Sequence, residues 1–250
     1  MTDAVSARMK QRLAGAMEVL GRHGLLLLTL AAGLIPALLL ALAAGGVYEA
    51  VVEEDGVAGL DQPVLDAAIT LRSPGVDTAV TWLTNLGGTI GLPVLAAAAV
   101  LALCRWQRSW TPLILTASAA AGSLLLTVAG KALVGRSRPP LSDAVPPYEH
   151  SASFPSGHSL NSVVVIGTLA YLLVLYLNTR RSRFLTVLAG VVFVLAIGLS
   201  RVYLGHHWLT DVLVAWILGL AWLAILITVH QLLHAHPCHR PAQRRCQLER

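Results

Sequence analysis

Six long apolar runs, at residues 24–44, 88–104, 111–130, 160–176, 184–200 and 212–229, leave few folds open to this chain. About 20 apolar residues in a helix cross a hydrocarbon core roughly 30 Å thick. Within lipid every backbone N–H and C=O must find its partner inside the chain, so spans of this kind are helices packed as a bundle. No segment shows the alternation over about ten residues that marks a membrane barrel strand. Only 12% of the 250 residues are charged, where a soluble domain carries about a quarter. The expectation is an all-α protein, an integral membrane bundle of six transmembrane helices, with the short second and fifth runs extended by flanking interfacial residues. The first run follows Arg8, Lys10 and Arg12 and precedes Ala43, Ala44 and Gly45, as the core of a signal peptide would. It is longer than the roughly 7–15 residues of such a core, which favours a retained helix.

The basic residues orient the bundle. With six spans and the N-terminus inside, 13 of them fall on the cytoplasmic side: Arg8, Lys10, Arg12, Arg22, Arg105, Arg108, Arg180, Arg181, Arg183, Arg240, Arg244, Arg245 and Arg250. Five fall outside: Arg72, Lys131, Arg136, Arg138 and Arg201. Cytoplasmic loops carry the excess of Lys and Arg in membrane proteins. The asymmetry therefore predicts an inner (plasma) membrane protein with both termini cytoplasmic. It also accounts for the net charge of +5 without a nucleic-acid partner. Cys104, Cys238 and Cys246 fall on the same reducing side and make no disulfide framework. Arg72 is assigned to outer-leaflet headgroups. The other four outer cations cluster at helix ends, where binding an anion is the simplest reason to keep them.

Three units are expected: a cytoplasmic segment over 1–23, a six-helix domain over 24–233 and a polar cytoplasmic tail over 234–250. Met9, Leu13, Met17 and Leu20 share a helical face opposite basic residues, predicting an amphipathic helix on the inner leaflet. An ordinary cytoplasmic tail is the other reading. The outer segment 45–87 places Leu60, Val64, Leu65, Ala68 and Leu71 at helical spacing, predicting a lateral interfacial helix between the first two spans. Trp82, Trp208, Tyr48, Tyr148 and Tyr203 fall in an outer aromatic belt, and Trp106, Trp110 and Tyr176 in an inner one. Pro139, Pro140, Pro146, Pro147 and Pro155 forbid a continuous helix over 131–156. The tail's His234, His236, Cys238 and His239 suit a metal, although scattered histidines in a polar tail are commoner. No internal repeat or soluble second domain is visible.

Three short segments carry the chemistry, and alternating helix direction puts them all on the outer face. They are 131–139, reading KALVGRSRP; 155–158, reading PSGH; and 200–211, reading SRVYLGHHWLTD. Lys131, Arg138 and Arg201 supply three cations, and arginine forks match phosphate oxygens in pairs. Ser156 and Gly157 open a helix, where unpaired N–H groups favour an anion and glycine lets the backbone approach it. The imidazoles of His158 and His207 titrate near pH 6.5, which suits proton transfer and nucleophilic attack. Asp211 follows His207 by four residues and on a helix would share its face, so it can hold one ring nitrogen protonated and leave the other free. His206 is read as loop. Singly, each residue has an ordinary structural reading: a hydrogen-bonded histidine, or an arginine snorkelling to headgroups. Together, on one face with little other charge nearby, those readings become strained.

The three segments resemble the signatures of the type 2 phosphatidic acid phosphatase superfamily, K-x6-RP, PSGH and SR-x5-H-x3-D, at every specified position and in order. The six spans resemble the membrane branch of that family. The resemblance implies that His207 attacks phosphorus to form phosphohistidine and that Asp211 orients it. It implies that His158 protonates the leaving oxygen and later activates water. Lys131, Arg138 and Arg201, with Ser156 and Gly157, would hold the phosphate, and no metal or other cofactor is implied. Two non-catalytic readings stand beside it: a transporter or channel, disfavoured by spans almost free of charge, and a homologue that binds lipid phosphate without hydrolysing it. An outward-facing site suits an outer-leaflet lipid such as an undecaprenyl-type diphosphate. Phosphatidylglycerophosphate, phosphatidic acid, diacylglycerol pyrophosphate and lipid A phosphate stay open, because the motifs read phosphate and not the tail.

Overall fold

The structure, a computed structural model, describes the backbone of residues 2–235 and the side chains of 26–233. The tail over 236–250 lies outside the described residues, as do the side chains of the expected amphipathic face over 5–23. Helix α1 runs unbroken over Thr2–Glu53, so the N-terminal segment continues into the first span instead of forming a separate helix. A 3₁₀ turn at Gly56–Leu60 leads into α2 (Asp61–Thr70) and α3 (Pro74–Leu86). Then follow α4 (Gly91–Gln107), α5 (Thr111–Val134), α6 (Gly157–Tyr176), α7 (Arg180–Tyr203) and α8 (Leu209–Ala235). All regular structure among the described residues is helical, as the apolar runs require.

Five segments are long and apolar enough to cross a membrane: Leu26–Glu53 of α1, then α5, α6, α7 and Leu209–Leu233 of α8. With 17 residues, α4 is only about 25 Å long at 1.5 Å per residue. Helix α3 meets it at a break, bent by 46°, and only the two together are long and apolar enough to count as a sixth span. Here the structure departs from the sequence reading. Residues 74–86, read as part of an outer connection, form a helix that joins α4 at this bend. The helix predicted from the Leu60–Leu71 spacing is α2.

Helix α8 is the hub, packing chiefly on α1 and α6 and also on α5. Ala119, Leu160, Val164, Ala215 and Leu226 join α5, α6 and α8 in one buried cluster. Lipid tails are as apolar as leucine, so helices in a bilayer associate through close packing that small residues permit. At Gly33 of α1 a Cβ would lie 1.7 Å from Thr228 Oγ1 of α8, and one at Gly198 of α7 would lie 2.3 Å from the Trp216 ring. Leucines such as Leu27, Leu125 and Leu133 stand well exposed on the outside of the bundle, as lipid-facing side chains should.

Arg72 does not reach for headgroups as expected. Its Nε and Nη2 donate to Tyr203 O at 3.0 and 2.6 Å, and its Nη1 to Asp143 O at 2.8 Å. Tyr203 ends α7, where carbonyls lack helical partners and a cation is favoured. Arg72 thus staples the α2–α3 corner to the end of α7 and to the loop over 141–156.

Candidate active site

Helix ends set the geometry. Gly135, at φ +61°, stops α5, and its N–H donates to Lys131 O at 3.1 Å. Glycine takes this left-handed conformation at little cost. Lys131 stays in the last turn of α5 while Arg136 and Arg138 turn back across its end. Ser156 caps α6, and its N–H donates to Asp211 O at 3.2 Å, tying the start of α6 to α8. After α7, the N–H groups of His206 and His207 both donate to Arg201 O, at 3.0 and 3.2 Å. Gly205 makes this turn at φ +68°, with Asp143 O only 2.1 Å from where a Cβ would be. His207 therefore lies in the turn before α8, not on a helix with Asp211 as expected. The two still meet, because Asp211 sits in the first turn of α8.

His207 and Asp211 are buried, at 1% and 0% exposure. His207 Nδ1 lies 3.5 Å from Asp211 Oδ2. Ser153 Oγ donates to the same oxygen at 2.5 Å and lies 3.3 Å from Nδ1. The N–H of Trp208 also donates to Oδ2, at 3.0 Å. The other oxygen, Oδ1, accepts from Arg136 Nη1 at 2.8 Å. Arg136 Nη2 donates to Asp61 Oδ2 at 2.7 Å. Asp61, in the first turn of α2, accepts from Thr210 N at 2.9 Å and from Thr210 Oγ1 at 2.6 Å. A proton on Nδ1 serves Asp211 and leaves the Nε2 lone pair facing Arg138 Nη1, 3.3 Å away. Burial, aided by the Arg201 and Arg138 charges, outweighs Asp211 and pushes His207 down to about 4. At neutral pH its imidazole is uncharged, as a nucleophile requires.

A cavity of about 700 Å³ opens beside it, within the size range of ligand sites. Of the residues singled out in the sequence, Lys131, Gly157, His158, Arg201 and His207 line it. Arg138 reaches it through His207 and Glu149, whereas Ser156 and Asp211 are fully buried and support the wall. The Ser156 hydroxyl accepts from Ser159 Oγ at 2.9 Å. His158 faces the α3–α4 break: a Cβ on Gly88 would lie 3.3 Å from its Nε2. Lys131 Nζ donates to Ala152 O and, at 3.2 Å, to Ser151 Oγ. Arg138 donates from Nε to Ser151 O at 2.6 Å and from Nη1 to His206 O at 2.6 Å. His206 Nε2 lies 2.7 Å from Val145 O, and burial with the Arg201 charge pushes this ring down to about 4.

Four participants went unassigned in the sequence. Asp61 and Arg136 brace Asp211, Ser153 bridges Asp211 and His207, and Glu149 joins Arg201 to Arg138, lying 2.8 Å from Arg138 Nη2. Burial raises the Glu149 carboxyl, but the Arg201 and Arg138 guanidiniums outweigh it and hold it down at about 2. A fourth cation beside three motif cations was the only hint of a carboxylate network. As a whole, the arrangement can bind an anion among guanidinium and ammonium groups and present to it an oriented, uncharged imidazole.

The profile of the PAP2 superfamily matches residues 111–235. Phosphatidylglycerophosphatase B of Bacillus subtilis is 34% identical over 176 residues, which cover 70% of this chain and 85% of that protein. The crystal structure of a transmembrane PAP2 type phosphatidylglycerolphosphate phosphatase from Bacillus subtilis superposes with a TM-score of 0.73 at 28% identity, covering 79% of this chain and 96% of that one. Aquifex aeolicus LpxE shares the fold, with a TM-score of 0.52 at 20% identity over 67% of this chain and 94% of its own.

Proposed function

We propose that this chain, which belongs to the PAP2 superfamily, is an integral membrane lipid phosphatase that works through a phosphohistidine on His207. One observation carries the reading: His207 turns Nδ1 to Asp211 and Nε2 to Arg138, beside a cavity that Lys131, His158 and Arg201 line. Nε2 attacks phosphorus, the bond from phosphorus to the lipid oxygen breaks, and His158 gives that oxygen its proton. Water then attacks the phosphohistidine, His158 takes its proton, and inorganic phosphate leaves with His207 restored. Lys131, Arg138 and Arg201 stabilise the charge on the phosphoryl oxygens, joined by the Gly157 N–H at the positive end of α6, with the buried Ser156 behind it supporting the wall instead of meeting the phosphate as expected. Asp211 fixes the tautomer of His207 and stabilises its positive charge as the nitrogen–phosphorus bond forms.

In this reading residues 24–233 form the phosphatase domain, the termini are cytoplasmic and the site faces outward, on the strength of the basic asymmetry. The substrate is a lipid phosphomonoester or diphosphate of the outer leaflet. Phosphatidylglycerophosphate is favoured by the name of the 34% identical relative. A polyprenyl diphosphate is favoured by an outward site that would recycle a carrier released there. Purified protein should release phosphate from one of these lipids or from phosphatidic acid, and His207→Ala should abolish the release without unfolding the protein. Residual activity within tenfold of wild type would sink the role of His207. Among the lipids, a tenfold preference in kcat/KM, about 1.4 kcal/mol, is the smallest that counts as specificity.

A further inference from the structure

The two guanidiniums of the site already hold an anion that belongs to the chain. Glu149 Oε2 lies 2.8 Å from Arg138 Nη2, and Oε1 accepts from Arg201 Nη2. One carboxylate bridging two arginine forks uses the contacts that two phosphoryl oxygens would use. The same Arg138 places its other terminal nitrogen 3.3 Å from His207 Nε2, so this anion stands next to the attacking atom. Arg201 is 2% exposed, and among the described residues its Nε has no hydrogen-bond partner. It thus keeps one donor in reserve for a ligand with more acceptors than a carboxylate offers.

Glu149 hangs on a loop with few backbone bonds of its own. Backbone bonds anchor the loop at Val145 N to Leu204 O, 2.9 Å, and at Ser153 N to Arg136 O, 2.8 Å. Between these anchors no backbone–backbone bond is formed among the described residues. The stretch is held instead by the cations themselves: Lys131 on Ala152 O and Arg138 on Ser151 O. A phosphate that recruits Lys131, Arg138 and Arg201 removes the bonds that keep the loop, and Glu149 with it, in place.

We propose, on the phosphatase reading above, that Glu149 is a resident counter-anion that phosphate displaces on binding and that returns to Arg138 and Arg201 when phosphate leaves. It thereby limits how tightly the site retains inorganic phosphate, the product, which carries the same oxygens as the substrate headgroup. The competing role and a merely structural role predict opposite signs. A carboxylate that only positions the guanidiniums would, when neutralised, weaken phosphate binding. A competing carboxylate would, when neutralised, strengthen it.

The test measures Ki for inorganic phosphate, and KM and kcat for the best lipid substrate, in wild type, Glu149→Gln and Asp143→Asn. Asp143→Asn removes the same charge from the same loop, at a side chain that accepts from Ser142 and not from Arg138 or Arg201, and so sets the size of a through-space effect. Ki should tighten about tenfold in Glu149→Gln with a lower KM, and should move less than twofold in Asp143→Asn. A weaker or unchanged Ki in Glu149→Gln, or equal tightening in both variants, overturns the proposal. Glu149→Asp, one methylene shorter and unable to span both arginines, should fall between wild type and Glu149→Gln. If neither Glu149 variant folds in detergent the proposal also fails, because a residue that leaves its place in each turnover cannot be essential to the fold. A wild-type protein that releases phosphate from none of the lipids overturns the phosphatase reading first.

Discussion

Arg136 offers the sharpest test of how the nucleophile is held. It sits within the unspecified stretch of the first motif, yet its guanidinium joins Asp211 Oδ1 at 2.8 Å to Asp61 Oδ2 at 2.7 Å. The side chains of those carboxylates are 0% and 6% exposed, and that of Arg136 is 18% exposed. Removing one partner of a buried ion pair costs about 3–5 kcal/mol, because a charge is left in a poor solvent. Two carboxylates lose the same cation in Arg136→Ala, but each keeps hydrogen bonds: Asp61 those from Thr210, Asp211 those from Ser153 and Trp208. The expected destabilisation is therefore about 3–5 kcal/mol in all and not twice that. Catalytically, Asp211 keeps its charge but loses the clamp on one oxygen. The loss should stay below the roughly 10⁴-fold effect of replacing a triad aspartate by asparagine. A fall in kcat of about 10–100-fold, or 1.4–2.7 kcal/mol, is expected. KM should change by less than about threefold, because the terminal nitrogens of Arg136 are engaged by Asp211, Asp61 and Thr210. The assay pairs phosphate release in micelles with thermal unfolding in detergent, at a temperature where the variant is folded. Wild-type kcat in folded Arg136→Ala refutes the reasoning. A large rise in KM with kcat intact refutes it differently, by making Arg136 a phosphate ligand.

Two further outcomes follow from charge. His207 must be neutral to attack, and burial holds its folded value at about 4 instead of the usual 6.5. Protonation as pH falls removes the nucleophile, so the acidic limb of kcat/KM should lie near pH 4, and a limb near 6.5 assigned to His207 would contradict its burial. In a background with Cys104, Cys238 and Cys246 replaced by alanine, Ser142→Cys should react with an impermeant thiol reagent in intact cells while Arg181→Cys should not. The reverse labelling would overturn the orientation.

What could be read from the sequence depended on how locally it was encoded. The spans follow from apolar length alone, and Lys131, His158, Arg201 and His207 were brought to one end by helix alternation, which needs no knowledge of packing. Asp61 and Arg136 were beyond reach for the opposite reason. Asp61 was one more acidic residue of the long outer segment, and its partner lies in α8, the last helix. Glu149 sits in a proline-rich loop whose path no periodicity describes. Arg72 departs from the expectation because exposed cations at a membrane face usually meet headgroups, whereas here the open end of α7 offers carbonyls nearer at hand. The break before α4 was missed because α3, with Thr78, Thr81 and Asn85, is not a continuous apolar run.

The bend between α3 and α4 also bears on the kinetics that the proposed phosphatase should obey. The cavity is lined by the charged Lys131, Glu149 and Arg201, and where α3 meets α4 also by Trp82, Leu86 and Ile90, at 72%, 44% and 77% exposure. On the phosphatase reading, a headgroup that enters over these apolar residues leaves its chains among their neighbours, so the substrate need not be lifted out of the bilayer. Encounter is then lateral diffusion in a plane, and the concentration that matters is the mole fraction of phosphorylated lipid in the surface. Diluting that lipid with inert detergent slows turnover even when its molarity in the tube is unchanged. Adding buffer at fixed surface composition does not.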